Sequence, residues 1–230
     1  MHVTIGFVPS YRFRYSEWCQ KMRDDSLATF AQIDGLKVVV PSASPDDQAL
    51  DSVQGLTPHG MVHNLDEAEV VAEYFQANKV DAVILCPLDF GDERSAAKIA
   101  EKLGVPVLLY ATKEPSGRDD PGLTRVSDSY CGNLSMASGL YRRKIPFHYA
   151  GLFFPDEPAF KAEVETFVRA VSVVKGLKGA RLGQVGVRPG TFETVGYDET
   201  AMIQAFGQNV IYANLSDILS AAKALDDQDE

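Results

Sequence analysis

A buried strand, a helix and a second buried strand are encoded in one stretch, VDAVILCPLDFGDERSAAKIAEKLGVPVLLY, which runs from Val80 to Tyr110. Its two ends, Val80 to Cys86 and Val105 to Tyr110, are nearly unbroken apolar runs of strand length, and Asp92 to Leu103 between them has helical spacing. Apolar strands that alternate with helices are typical of a parallel sheet covered on both faces. This stretch therefore predicts an α/β fold.

The same alternation extends over the first two thirds of the chain. Further strands are predicted at 3–8, 36–40 and 147–153, and further helices at 15–33, 66–77, from about 128 to 144, and 157–174. Five parallel strands in this order match a flavodoxin-like doubly wound parallel sheet. We assign this domain to residues 1–155, and a connecting helix to residues 156–178.

A second α/β segment begins after the connecting helix. Arg181 to Thr194 is interpreted as a strand and a Pro-Gly loop, and a helix at 197–206, a strand at 210–213 and a helix at 216–224 follow. Two strands with two or three helices do not bury both faces of a parallel sheet. We therefore expect residues 179–230 to form the start of a second, incomplete α/β domain. It would dock on the first domain or on another chain, or belong to a longer polypeptide.

Composition excludes several classes of partner. The 230 residues are 45% hydrophobic and carry a formal net charge of −10, which argues against nucleic acid or an anionic membrane surface as the main partner. The longest apolar runs have strand length, and no signal peptide is expected at the N-terminus. Three widely spaced cysteines fit a reducing compartment. We therefore expect a cytoplasmic protein without a transmembrane segment.

Ligands of open α/β sheets bind beyond the carboxyl ends of the strands. Five loops occupy such positions and carry most of the unusual polar residues, namely 9–14, 42–64, 87–92, 112–125 and 188–196. These loops are the candidate binding region.

Two of these loops carry the candidate site residues. Arg12 and Arg14 lie among aromatic side chains after the first strand, a combination suited to a polyhydroxylated or anionic small ligand. The alternative is that these aromatic rings pack on a neighbouring helix or subunit. After the third strand, Asp92 and Glu93 suit the first turn of a helix, so Asp89 is the carboxylate that stands out.

Other motifs give little support for a catalytic site. His59 and His63 have a spacing of four, but the adjacent proline and glycine disfavour the helix that would give this spacing a metal-binding meaning. Cys131 lies near a helix start but has no base beside it in sequence, so we interpret it as structural. The sequence contains no GxGxxG, P-loop or GxSxG motif.

Three segments resemble the N-terminal region of the L-fucose isomerase and L-arabinose isomerase family. They are Thr4 to Pro9, Asp128 to Arg143, and Arg181 to Asp198 together with Phe206-Gly207. The order of domains also agrees over the whole chain.

The resemblance implies aldose–ketose isomerisation of a small sugar. In that family a divalent metal, commonly Mn²⁺, holds two sugar oxygens, and carboxylates move the proton. The metal ligands of the family lie after the region that this chain matches, so no metal ligand or catalytic residue is assigned here and Mn²⁺ is implied only with the C-terminal part. The family's first domain completes the active site of a neighbouring subunit, and an arginine of its first loop contacts the sugar, which corresponds to Arg12 or Arg14. An aromatic lid residue after the third strand corresponds to Phe90.

Several alternatives remain open at this stage. The first hypothesis is the N-terminal part of an isomerase, in a homo-oligomer or with a partner chain that carries the C-terminal domain, which does not catalyse alone. The second is a non-catalytic sugar-binding or regulatory module. The third is an unrelated flavodoxin-like interaction domain, for which sugar binding would be absent.

Overall fold

The computed structural model describes residues 2–12, 15–41, 56–114 and 126–225. Its contacts divide the chain into two compact units, Met1–Ser172 and Val173–Glu230. The strands are β1 (Val3–Ser10), β2 (Leu36–Val39), β3 (Ala82–Pro87), β4 (Val107–Thr112), β5 (His148–Phe153), β6 (Arg181–Val185) and β7 (Asn209–Ala213). The helices are α1 (Glu17–Phe30), α2 (Leu65–Ala77), α3 (Glu93–Leu103), α4 (Ser129–Arg142), α5 (Pro158–Leu177), α6 (Glu199–Phe206) and α7 (Leu215–Lys223).

The first unit contains a five-stranded parallel sheet in the order β2-β1-β3-β4-β5. This is the order of flavodoxin-like doubly wound proteins, so the predicted fold class is confirmed. β3 and β4 are buried along their whole length, as their unbroken apolar sequences predict.

Alternate residues of the central strands face two separate cores. One core joins the sheet to α1 and α5 and contains Phe7, Phe30, Tyr110 and Phe160. The other core joins the opposite face to α2, α3 and α4. Because α1 and α3 lie on opposite faces, the loops after β1 and β3 diverge, and they open the crevice in which doubly wound proteins bind their ligands.

Local signals in the sequence explain where the helices begin and end. The side chains of Ser16, Asn64 and Asp92 accept hydrogen bonds from backbone N–H groups in the first turns of α1, α2 and α3. Gly104 ends α3 in the left-handed conformation. α1 stops at Phe30, earlier than the predicted Asp34-Gly35 boundary, and Gly35 instead forms the turn into β2 with a φ of 76°.

The second unit has the predicted order of elements. β6 and β7 form a two-stranded parallel sheet, and Asp198 caps α6, which ends at Gly207. Neither α6 nor α7 has a buried residue, and apolar side chains such as Val187 and Tyr212 are exposed.

None of the helices that the structure describes combines the length and the apolar character needed to cross a membrane.

Candidate functional site

The candidate site lies where β1 and β3 end side by side. Ser10, the last residue of β1, pairs with Pro87, the last residue of β3. The loops that follow these two strands turn toward opposite faces of the sheet. This position is the topological switch point of the fold.

Asp89 connects the two loops. Its carboxylate accepts the backbone N–H of Arg12 at 2.9 and 3.2 Å, and the N–H of Gly91 at 2.7 Å. Gly91 has a φ of 69°, which favours glycine, and only 9% of Asp89 is exposed. The residue that stood out in the sequence therefore fixes the backbone of the rim, by which we mean the start of the loop after β1 together with residues 88–94 after β3.

The side chain of Arg12 lies across the loop that follows β3. Its Nε donates to the carbonyl oxygen of Gly91 at 2.7 Å, its Nη2 pairs with the Glu93 carboxylate, and its guanidinium carbon lies 4.2 Å from the centroid of the Phe90 ring. The last contact has cation–π geometry. Within the described part of the chain, Nη1 of Arg12 has no hydrogen-bond partner, and 29% of the side chain is exposed.

The structure thus brings together three of the four predicted site residues, Arg12, Asp89 and Phe90. Arg14 lies outside the described residues. The ion pair with Glu93 was not predicted, because Glu93 was interpreted as a first-turn residue of α3. No signal in the sequence connects it to an arginine in a distant loop.

Asp92 serves the start of α3, as the sequence predicted. It accepts the N–H groups of Arg94 and Ser95, both at 3.0 Å, and its own N–H donates to Ser10 Oγ at 2.8 Å. Burial raises the pKa of Asp92, but hydrogen bonds from Arg94 and Ser95 outweigh burial, so that the pKa is lowered overall. Asp92 is therefore held ionised as a helix cap.

A further carboxylate, that of Glu114, closes the loop after β4. It accepts the N–H groups of Val126, Ser127 and Asp128 at 2.7 to 3.2 Å and the Ser127 hydroxyl at 2.8 Å. Burial raises its pKa, but these hydrogen bonds lower the pKa overall. Residues 115–125 of this candidate loop, and residues 42–55 of the loop after β2, lie outside the described residues.

The two histidines have separate aromatic partners. His59 stacks on Tyr15 with centroids 3.8 Å apart, and His63 stacks on Tyr11 at 4.9 Å. His63 also pairs with Glu67, 2.8 Å from Nδ1. Pro58–Gly60 is a short 3₁₀ turn, so the two histidines do not share a helical face.

The metal of the family, which the resemblance implies only with the C-terminal part, has no candidate site among the described residues. Across the ranges given above, no group of three or more His, Cys, Asp and Glu side chains has the placement to hold a metal ion.

Arg23 is a buried cation that sequence reasoning missed. Its Nε donates to the carbonyl oxygen of Gly60 at 3.1 Å, and its Nη1 lies 3.4 Å from the Asp24 carboxylate. Burial lowers its pKa to about 10. Arg23 thereby fixes the 3₁₀ turn that lies just before Val62, which pairs with Ser10 at the end of β1.

The cysteines form no disulfide. Cys19 and Cys86 are buried, and burial raises the pKa of the Cys19 thiol to about 11. Burial likewise raises the pKa of Cys86. Two of the three thiols are therefore held protonated in the core.

In the second unit, the loop after β6 borders an open cleft of about 550 Å³. Its lining includes the Arg188 side chain and the apolar residues Val187 and Val195. Arg188 Nη1 donates to the carbonyl oxygen of Glu193 at 3.4 Å.

Comparison with known proteins identifies the class to which this fold and site belong. Residues 45–178, more than half of the chain, match the family described as the fucose/sulfoquinovose isomerase N-terminal domain. The chain belongs to this family of sugar-isomerase N-terminal domains. The resemblance noted in the sequence is thereby confirmed.

Two curated relatives are the sulfoquinovose isomerases of Priestia aryabhattai and of Priestia megaterium (strain ATCC 12872 / QMB1551). Each is 25% identical over 174 residues, a match that covers 76% of this chain and 38% of the relative. The chain therefore spans about two fifths of the length of the curated relatives it matches.

Two solved structures are similar at a lower level. An ABC transporter periplasmic solute-binding protein from Actinobacillus succinogenes 130z, with bound D-allose, is 18% identical with a TM-score of 0.32, over 92% of this chain and 59% of that chain. A fructose-binding periplasmic domain of a hybrid two-component system is 14% identical with a TM-score of 0.29, over 83% of this chain and 74% of that chain. Similarities at this level indicate neither a function nor a ligand for this chain.

Proposed function

We propose that this chain forms part of the substrate pocket of an aldose–ketose isomerase and takes part in its subunit assembly, while another domain or chain supplies the metal and the acid–base residues. The observation that carries this proposal is the position of Arg12. Its guanidinium lies at the switch point, restrained by Gly91, Glu93 and Phe90, and among the described residues no group accepts a hydrogen bond from Nη1.

The restraint on the Arg12 side chain favours the binding of a sugar. Gly91, Glu93 and Phe90 restrain the side chain before any ligand arrives, so less conformational entropy is lost when Nη1 donates to a sugar oxygen. Phe90 offers an apolar ring next to that donor, the combination that sugar C–H and O–H groups require. We assign substrate orientation to Arg12 and Phe90 and no proton transfer to this chain.

The candidate substrates follow from the family and its relatives. Sulfoquinovose is a sulfonated sugar, and a guanidinium forms charge-assisted hydrogen bonds with such an anion. L-fucose, L-arabinose and D-arabinose are the neutral alternatives. Sulfoquinovose is therefore the first ligand to test, with the neutral sugars as comparison.

Binding of these sugars to the chain is measured by NMR titration, with Arg12→Gln as the variant and Arg94→Gln as the control. Arg94 lies on the same rim but has a 62% exposed side chain that pairs with Asp92. Loss of one charged hydrogen bond, about 1.5–3 kcal/mol, should weaken binding about tenfold or more in Arg12→Gln. Arg94→Gln should bind as the unmodified chain does. Equal binding by both variants would remove Arg12 from the pocket.

Catalysis is tested by an isomerase assay with Mn²⁺, on the chain alone and on the chain mixed with the C-terminal part of the Priestia megaterium enzyme. Turnover only in the mixture is expected. Turnover by the chain alone would contradict the proposed division of roles. Sugar binding without turnover in either sample would favour the non-catalytic sugar-binding module.

A further inference from the structure

The outer face of α4 carries an exposed apolar stripe. Tyr130, Leu134, Ala137 and Tyr141 follow one another at spacings of four, three and four residues, which places them on one side of the helix. Ala137 is partly buried and also packs against the core beneath α4. Tyr130, Leu134 and Tyr141 are 53%, 55% and 79% exposed. The opposite side of α4, with Met136 and Leu140, is buried in the core of the first unit.

The position of α4 explains why its own unit leaves this stripe open. α4 packs against α3 on one flank, where Gly139 approaches Glu93 and Ala97. Its other flank lies toward β5, the edge strand of the sheet, on which Tyr149 is also exposed. Within the first unit, the described elements do not extend beyond this edge. Exposed aromatic and aliphatic side chains in one stripe are typical of an interface between proteins.

The two ends of α4 carry opposite charges. The Glu114 carboxylate lies at the N-terminal end, where it accepts three backbone N–H groups beside Asp128. Arg142, Arg143 and Lys144 lie at the C-terminal end. Each end thus complements the other end of an identical helix that runs in the opposite direction.

A groove lies beside the basic end of α4. It has a volume of about 650 Å³ and lies next to Tyr141, with Arg142, Lys144, Ile145, Pro146 and Phe147 as its other lining residues. Apolar and aromatic walls with a basic rim suit a tyrosine ring. In an antiparallel pair of α4 helices, the stripe places Tyr130 of a second copy at this end.

We propose that the stripe is the contact surface for a second copy of this chain, in a two-fold pair with antiparallel α4 helices. Tyr130 then faces Tyr141 and the groove of the second copy, and Leu134 faces the small Ala137. The acidic end of each helix meets the basic end of the other, and the helix dipoles oppose each other. A parallel pair would instead bring like charges together, so both charge and side-chain size select the antiparallel two-fold arrangement. This inference does not depend on sugar binding or on the activity of the isomerase.

Crosslinking between two separately prepared variants tests the direction of the pair. Tyr130→Cys and Tyr141→Cys are each made in the full chain, together with Cys131→Ser. Cys19 and Cys86 are kept because they are buried. A short bis-maleimide is then added to each variant alone and to a mixture of the two. In the antiparallel pair, each new thiol lies about 16 Å along the helix from its own counterpart, at 1.5 Å per residue over the eleven residues between the two positions. A covalent dimer should therefore form in the mixture and only weakly in either variant alone. The proposal would be overturned if each variant alone crosslinked as well as the mixture does. It would also be overturned if the mixture did not crosslink although both variants have the native circular dichroism spectrum.

Sedimentation velocity tests the stripe itself. Leu134→Glu and Tyr141→Glu should each halve the mass of the wild-type species, which is at least twice 25.1 kDa in the proposed pair. Val70→Glu is the matched control, because Val70 is a 44% exposed apolar residue on α2. Tyr141 is so exposed that its substitution leaves the core intact even if Leu134→Glu disturbs folding. A wild-type monomer, or a Tyr141→Glu variant with the wild-type mass, would contradict the proposal.

Discussion

Gly132, in the first turns of α4, supports the loop that carries Phe90. A Cβ atom added at Gly132 would lie 2.0 Å from the carbonyl oxygen of Phe90 and 2.6 Å from its carbonyl carbon. Since contacts of Cβ atoms below 3.0 Å are essentially never seen, Gly132→Ala must displace the Phe90 backbone by about 1 Å. The variant therefore perturbs the rim through the Phe90–Gly91 peptide, while Arg12 and Asp89 keep their own side chains.

The size of the effect follows from two opposing contributions. Forcing extra volume into a packed contact costs about 1–3 kcal/mol, whereas alanine in place of glycine within a helix stabilises by about 0.5–1 kcal/mol. Gly139→Ala, in the same helix, isolates the second contribution, because its nearest atoms would be 3.6 to 3.9 Å away. We expect Gly139→Ala to raise the free energy of unfolding, and Gly132→Ala to lie about 1–3 kcal/mol below it.

Urea denaturation, followed by the fluorescence of Trp18, measures this difference. Trp18 is the single tryptophan of the chain and packs against the core between the sheet and α1. It therefore reports on the first unit, and linear extrapolation gives the free energy of unfolding. Displacement of Phe90 should also weaken sugar binding in Gly132→Ala and leave it unchanged in Gly139→Ala. Equal stability of the two variants would refute the close approach of α4 to the rim.

Three further predictions concern the carboxylates and the division into two units. Asp89→Ala removes the acceptor of the Arg12 and Gly91 N–H groups. We expect the free energy of unfolding in urea to fall by about 2–4 kcal/mol, at about 1–2 kcal/mol per unpaired donor. An unchanged midpoint would contradict the role of Asp89 as a connection between the loops. The pKa of Glu114 is lowered in the folded protein, so the carboxylate stabilises the fold at neutral pH, and this stabilisation is lost as the pH falls below the ordinary value of 4.5. Glu114→Gln should therefore lower the free energy of unfolding at pH 7 and make it depend less steeply on pH in the acid range. An unchanged acid dependence would argue against this role of Glu114. Removal of residues 179–230, in which α6 and α7 have no buried residue, should reduce association beyond the α4 pair and leave the first unit folded by circular dichroism. A fully unfolded product would contradict the two-unit division.

The fold of the first unit was predictable because its strands carry their own signal. The apolar runs at β3 and β4 have no polar face, which indicates burial on both sides and hence a parallel sheet. The ends of the helices were harder to predict, since α1 ends at Phe30 although Asp34-Gly35 is a clear turn signal. A short turn before β2 separates the helix end from that glycine, and local sequence does not reveal its length.

The rim was predictable in location but not in chemistry. The rule for doubly wound sheets selected the loops that carry Arg12, Asp89 and Phe90, and these residues do meet. Which group each carboxylate would pair with was not predictable. The partners of Asp89 and Glu93 in the first loop come from a segment more than seventy residues away, and only the parallel pairing of β1 with β3 brings them together.

These pairings change the electrostatic character of the site. The chain carries a net charge of −10, and the candidate loops and helix starts contain Asp89, Asp92, Glu93 and Glu114. Each of these carboxylates already accepts backbone N–H groups or pairs with Arg12. The contacts place these carboxylates in structural roles, since they hold loop backbone, the start of α3 and the Arg12 side chain. Under the proposed function, Arg12 beside the Phe90 ring orients the sugar, and another part of the enzyme moves the proton.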